Sequence, residues 1–360
     1  MSLAQPKRIL IIKLRHHGDV LLSTPVVDAL KTRFPDCEID MLVYAGTEQL
    51  IADNPQIAQI FTIDRNCKKL GVIKQLACEK NLLSKLKARD YDWAFNLSDH
   101  WRAAIIAKLC ARCSVGLDCI KRDGFWWRFC HDFINHELDT SHHIVENQLN
   151  ILAPLIQPED VADAKVRLWV AQDARESMRQ KLREQGWSGE DYVLLHPGAR
   201  WHFKCWEDGK NAAIVQLLLN GVKNVVLTAS PDTVEQDMLQ ERIGLLNLPE
   251  GRKVYVLSGC LGLRELAAAI EGAKLFVGVD SAPMHIAAAL DKPQIALFGA
   301  SWVDKWRPYS EEAEVIYAGD YAELPHPDSI DTNDPTRLLK AIPLQDVWDK
   351  ISAKLEALEA

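Results

Sequence analysis

Residues 8–25 read R-I-L-I-I-K-L-R-H-H-G-D-V-L-L-S-T-P. The unbroken apolar run at 9–12 predicts a buried strand. It ends in a polar turn with one glycine, Gly18, and one acid, Asp19, and helical spacing resumes at Val20, Leu21 and Leu22. Strand, short loop and helix in that order open a βαβ unit. Loops at the carboxyl ends of parallel strands line the ligand crevice, so Arg15, His16, His17, Gly18 and Asp19 are expected there. Asp19, at or near the helix start, either caps the helix or holds an ionised carboxylate where a base can act. The turn lacks the G-x-G-x-x-G spacing that lets a backbone close on a dinucleotide pyrophosphate, which disfavours a nicotinamide-dependent oxidoreductase.

The same alternation continues outward. Strand patterns at 39–43, 60–63 and 93–97 are separated by helical ones to about residue 34, from about 48 and within 70–88, which implies parallel βαβ units with right-handed crossovers. The segment 117–143 breaks the pattern. It carries basic residues, the cluster F-W-W-R-F at 125–129, and His131, His136, His142 and His143. Basic residues mixed with tryptophan suit sugar stacking with phosphate pairing, or a membrane interface; an irregular loop covered by its own aromatics is the plainer reading. A helix near 144–155 runs into Pro154 and Pro158, and the domain joint is expected between about 155 and 175. A second alternation follows, with strands at 192–196, 225–228, 254–257, 274–279 and 294–298. The sequence therefore predicts an α/β chain of two Rossmann-like, doubly wound domains, 1–165 and 175–340. A final helix in 341–360 has no strand partner and is expected to lie across the joint.

A chain of 360 residues that is 48% hydrophobic can fill two cores. No apolar run reaches the roughly 18 residues needed to span a bilayer, and the first residues lack the pattern of a signal peptide, so a cytoplasmic protein is expected. Nine irregularly spaced cysteines read as reduced thiols. Cys110 and Cys113, with Cys119, give only half a zinc pattern, so no metal is expected. The net charge of -8 is uneven: residues 1–165 hold 21 Lys+Arg against 21 Asp+Glu, and the whole acidic excess lies beyond them. This balance argues against nucleic acid as a partner and leaves the first half the better host for an anionic substrate.

Two further stretches carry chemistry. In L-H-P-G-A-R-W-H-F-K-C-W (195–206), Pro197 and Gly198 make a turn at a strand's carboxyl end. The amides of Gly198, Ala199 and Arg200 can then face an anion, with Arg200 and Lys204 adding charge. In F-V-G-V-D-S-A-P-M-H-I-A-A-A (276–289), a buried strand delivers Asp280 to its end. Ser281, Ala282 and Pro283 open a helix whose amides form an anion site, and His285 lies one turn in. A capping aspartate and a core histidine would give much the same string. Taken together, the three stretches describe a nucleotide-sugar transferase: a carboxylate at a helix start in one domain, and two loops fit for a diphosphate in the other.

The three passages, supported by L-F-G-A-S-W-V-D-K-W-R-P (297–308), resemble the lipopolysaccharide core heptosyltransferases, the ADP-heptose-dependent enzymes of glycosyltransferase family 9. The resemblance runs from about residue 7 to 350. It implies the GT-B architecture, two Rossmann-like domains facing a central cleft, and inverting transfer of heptose from ADP-heptose to a lipid A-core acceptor with no metal or other cofactor. R-H-H-G-D and F-K-C-W are most similar to the members that add a branching heptose to the second heptose of the inner core. By position, Asp19 matches the general base, Lys204 the lysine at the donor diphosphate, Asp280 the acid near the donor heptose, and His285 the histidine on the following helix. Gly198, Ala199, Arg200, Ser281 and Ala282 complete the expected donor site. Acceptor contacts are expected from Arg15, His16, His17 and Gly18, and, by charge, from Arg65, Lys68, Lys69, Arg122 and Arg128. A lipid-linked acceptor further implies contact with the inner face of the cytoplasmic membrane. The rival from a different class is a non-catalytic nucleotide-sugar binding module, against which only the Asp19 carboxylate speaks.

Overall fold

The structure, a computed structural model, describes residues 5–359 except 119–121, 123, 158–160, 162, 222–223 and 249, without the side chains of 68–70 and 72. The chain divides into two compact units, Met1–Trp169 and Val170–Ala360.

The first unit runs β1 (Arg8–Lys13), α1 (His17–Leu21), α2 (Thr24–Arg33), β2 (Glu38–Tyr44), β3 (Gln59–Ile63), α3 (Val72–Lys87), β4 (Tyr91–Asn96), α4 (Trp101–Cys110), β5 (Ala111–Asp118), α5 (Phe125–Phe129), β6 (Phe133–His136) and α6 (Ile144–Asn150). Its six strands form one parallel sheet in the order β3-β2-β1-β4-β5-β6. The apolar run of β1 is buried on both faces: Ile9 and Ile11 pack with α2 residues on one side, while Leu10 and Ile12 pack with Ala103, Ile106 and Ala107 of α4 on the other. A strand covered on both faces has no polar side to alternate, which is why its sequence is continuous rather than period-two.

The second unit runs α7 (Gln172–Glu184), β7 (Val193–His196), α8 (Asp208–Gly221), β8 (Asn224–Ala229), α9 (Thr233–Gly244), β9 (Lys253–Ser258), α10 (Leu263–Gly272), β10 (Leu275–Val279), α11 (Ala282–Ala289), β11 (Gln294–Phe298), α12 (Val303–Trp306), β12 (Ala313–Tyr317) and α13 (Leu344–Ala357). Its parallel sheet, β12-β11-β10-β7-β8-β9, repeats the topology of the first. Each sheet reverses its winding direction at one place, between β1 and β4 and between β7 and β10. In open α/β sheets that reversal opens the ligand crevice at the strands' carboxyl ends.

Four sequence expectations change. The helix expected after β1 is two helices, broken at Leu22 and Ser23, and the one expected from residue 48 is a single 3-10 turn, Thr47–Leu50. The segment 117–143 is neither strandless nor a plain loop: it contains the end of β5, the short helix α5 and β6. β12 is a half-buried edge strand that the apolar pattern did not reveal. The last helix, α13, spends its apolar face inside the second unit, where Val347, Ile351 and Leu355 join the core beneath α8 and β11. Lys350–Glu314 (3.0 Å) and Lys274–Glu359 (2.9 Å) tie it there.

Candidate active site

In the first unit, the carboxyl ends of β1 and β4 are stitched together by Ser98. Its hydroxyl accepts from the Leu14 amide at 2.6 Å, and its own amide donates to Asn96 Oδ1 at 3.1 Å. Asp19 lies in the first turn of α1, and the N-cap position belongs to His16, so Asp19 does not cap the helix itself. Beneath it sits Lys13, only 4% exposed, with Nζ donating to the Leu97 carbonyl at 3.2 Å and 4.0 Å from Asp19 Oδ1. Burial pushes the Lys13 ammonium below its ordinary value and the Asp19 carboxylate opposes that shift. A buried cation thus faces the candidate base from below.

The acid after β4, Asp99, gathers the cations expected to meet the acceptor. Arg15 reaches its carboxylate at 2.8 Å, and Arg122 Nε donates to its backbone carbonyl at 2.8 Å. His17 is driven below its usual value by burial first, then by the charges of His16 and Arg65, so it is neutral at pH 7 and suited to a hydrogen bond rather than to anion pairing. Arg65 rests over the Tyr44 ring at 4.9 Å. Arg128 pairs with Asp118 at the end of β5 (2.7 Å), which places it one strand further along the edge. The side chains of Lys68 and Lys69 lie outside the described residues.

In the second unit, the two loops that flank the reversal converge. Lys204, at the end of a 3-10 turn after β7, places Nζ 2.5 Å from Asp280 Oδ2 at the end of β10. The same oxygen accepts from Ser301 Oγ at 2.7 Å, from the loop after β11. Burial alone would raise the Asp280 carboxyl, but Lys204, Ser301 and the nearby His285 hold it below the ordinary carboxylate range, so it is ionised. Ser281 is the N-cap of α11 with its hydroxyl turned back to the Val279 carbonyl (3.2 Å), leaving its helix start to backbone amides. His285 is buried one turn in.

The 197–206 loop is shaped by what it covers. Gly198 passes so close to Glu235 that a Cβ would stand 2.9 Å from its carboxylate oxygen. Ala199 is buried, its carbonyl accepting from the Cys205 thiol at 3.7 Å. Arg200 is exposed and extends over Trp201, whose ring also lies 5.3 Å from Lys204 Nζ. Phe203 and Trp206 are core residues, and the Trp206 indole donates to the Ile342 carbonyl at 3.3 Å. Under the loop, burial depresses His196 to about 4 even with Glu235 3.7 Å away, so the pair is a neutral imidazole beside an acid, not a salt bridge.

Sequence reasoning missed Lys13, Asp99 and Ser301. Lys13 and Ser301 lie within quoted motifs, but only the folded contacts with Asp19 and Asp280 single them out. Among the described residues, no three His, Cys, Asp or Glu side chains are grouped to hold a metal ion.

The sequence profile of glycosyltransferase family 9 (heptosyltransferase) matches residues 80–336. A lipopolysaccharide heptosyltransferase 3 of Escherichia coli is 37% identical over 335 residues, 93% of this chain and 95% of that protein, and one from strain K12 is 35% identical over 93% of this chain and 94% of its own. Among solved structures, a family 9 glycosyl transferase from Veillonella parvula DSM 2008 superposes with a TM-score of 0.84 at 21% identity over 99% of both chains. The E. coli ADP-heptose lps heptosyltransferase II does so with 0.78 at 21% identity, over 98% of this chain and 100% of its own. With two six-stranded Rossmann-like units and a profile match across most of its length, the chain belongs to glycosyltransferase family 9, the heptosyltransferases.

Proposed function

We propose that this protein moves heptose from ADP-heptose to the inner core of lipopolysaccharide, adding the branching heptose to the second core heptose, by one displacement with inversion. The observation that supports this reading most is the 37% identity to a lipopolysaccharide heptosyltransferase 3 over 93% of the chain.

In this mechanism the carboxylate of Asp19 takes the proton of an acceptor hydroxyl. The oxygen's electron pair attacks the anomeric carbon, the bond to the diphosphate breaks, and ADP leaves carrying the electron pair. The charge gained by the leaving group is met by the Lys204 ammonium and by amides of the 198–200 loop and the Ala282 helix start. Asp280 orients Lys204 at 2.5 Å and offers the donor sugar a hydrogen-bond acceptor. In this reading Arg15 and Arg122, which both contact Asp99, meet the anionic groups of the acceptor, together with His16, His17 and Gly18 of the same turn. No metal takes part in this reading, because lysine and amides fill its role; undiminished turnover in a chelator is the expected result. Lys13, buried below Asp19, places its ammonium 4.0 Å from the carboxylate.

The acceptor preference is tested with core oligosaccharides ending after one heptose or after two. The account expects ADP release and a heptose mass increment only with the two-heptose acceptor. Transfer to the one-heptose acceptor would move the protein to an earlier step. Because such acceptors are lipid-linked, the protein works on the cytoplasmic side of the inner membrane; among the described residues no helix is long and apolar enough to cross a bilayer.

A further inference from the structure

The exposed aromatic side chains of the first unit are not scattered. On α5, Phe125, Trp126 and Phe129 are 73%, 67% and 62% exposed, while Trp127 between them is buried at 1% with its indole bonded to the Leu117 carbonyl. The three exposed rings touch one another, with centroids 5.4 to 6.5 Å apart. A short helix pinned by one inward tryptophan therefore holds three rings outward.

The neighbouring helices extend this surface. α4 packs beside α3, joined by an Arg102–Glu79 pair at 2.6 Å, and meets α5 where Trp101 stands edge-on to Trp127 at 5.5 Å. Trp101, Ile105 and Leu109, one helical turn apart, form an exposed stripe along α4, and Ile73 and Leu76 are exposed on the first turns of α3. Such a stripe on a helix that already buries its other side against the sheet is unpartnered apolar surface.

Charge decides what covers it. The three helices carry seven basic residues, the four lysines of α3, Arg102 and Lys108 of α4 and Arg128 of α5, against one acid, Glu79, in a chain whose net charge is -8. Lys108 and Arg128 are paired with Asp132 and Asp118, but the α3 lysines are exposed. Two copies of this chain meeting through the same face would oppose positive to positive. An anionic lipid surface meets both halves of the pattern, aromatics at headgroup depth and lysines at the phosphates.

We propose that the α3–α4–α5 face is a docking surface for an anionic bilayer, and that it presents the acceptor to the edge of the sheet where Asp99 gathers Arg15 and Arg122. The link between the two is direct: Arg122 donates to the Asp99 carbonyl and lies 5.7 Å over Trp101. The delivery of acceptor rests on the heptosyltransferase reading; the bilayer contact does not.

The test uses the full chain with phosphatidylcholine vesicles, with and without phosphatidylglycerol. The expected result is co-sedimentation with the anionic vesicles only, weakened by salt, and quenching of tryptophan fluorescence by brominated lipid. Phe125→Ser/Trp126→Ser/Phe129→Ser and, separately, Lys74→Glu/Lys80→Glu/Lys85→Glu are expected to lower vesicle binding about tenfold or more. Turnover of a deacylated core acceptor should be unchanged, and the KM for the vesicle-borne acceptor should rise. Unchanged binding by both variants, absence of lipid quenching in the wild type, or a concentration-dependent dimer whose formation hides Trp126 would overturn the proposal. Loss of turnover on the deacylated acceptor by the wild type would instead count against the heptosyltransferase reading.

Discussion

Asp19→Ala is expected to abolish heptose transfer, with turnover falling by roughly 10²- to 10⁴-fold, the contribution of a positioned general base, while ADP-heptose still binds. The argument rests on where the carboxylate stands. It is in the first turn of α1 without serving as the cap, it is part-exposed, and it faces the buried Lys13 ammonium at 4.0 Å. Its removal costs the fold little directly, but takes away a carboxylate that opposes the burial-driven lowering of Lys13. Asp19→Asn keeps the shape while removing both the base and the charge that faces Lys13, so an equal loss in the two variants assigns the effect to the carboxylate rather than to side-chain volume. Calorimetric titration with ADP-heptose and an ADP-release assay on both variants give the check; turnover within a few-fold of wild type in either would refute the assignment.

Lys204→Ala is expected to be nearly as severe, for two separable reasons. The donor loses a charge-assisted contact to its diphosphate, worth about 1.5 to 3 kcal/mol, which weakens donor binding by about ten- to a hundredfold and lowers turnover further as leaving-group charge builds up. The fold loses the partner of a buried acid, for which about 3 to 5 kcal/mol is the usual cost. The second effect carries a pH signature. In the wild type Asp280 is held below the ordinary carboxylate range, so its contribution to stability is fully present above the unfolded value of about 4 and is lost as pH falls through the folded value. Without Lys204, burial raises that carboxyl, and the variant is penalised most at neutral pH. Denaturant unfolding at several pH values should therefore show the gap to wild type narrowing as pH drops from 7 toward about 4. A gap independent of pH would mean that the pair does not govern the stability of this site.

Much of this was legible in the sequence wherever a strand is buried on both faces. The runs at 9–12 and 275–279 are continuous because each side meets a helix layer, and the residues that follow them, Asp19 and Asp280, inherit a place at the sheet's carboxyl edge. β5 was not legible. It follows α4 without a gap, and its Ser114 and Gly116 are poor strand formers. Gly116 is required because the His131 ring stands 2.6 Å from where a Cβ would be, a contact made 15 residues later. β12 was hidden for a different reason: as an edge strand only one of its residues, Ile316, is fully buried, so apolar periodicity is weak.

The site divides the same way. Lys204 and Asp280 could be named from their motifs, but not that they bond to each other, nor that Ser301 shares the same oxygen, because those contacts join three different strand ends. Lys13 reads as the last residue of a strand and becomes informative only when its ammonium is seen beneath Asp19. Arg122 and Arg128 were chosen by charge alone, and folding separates them: one is held at Asp99, the other at Asp118. The aromatic cluster at 125–129 reads as a loop lid until one ring of the helix is found facing inward and three outward.

The central claim, heptose transfer from ADP-heptose to a core acceptor, is tested most directly by ADP release in a chelator with the deacylated two-heptose acceptor. The account predicts catalytic release of ADP, matched mole for mole by heptosylated product and absent when acceptor is omitted. Tight donor binding with no release on any core acceptor would contradict it, and would identify the chain as a nucleotide-sugar binding module built on a transferase fold.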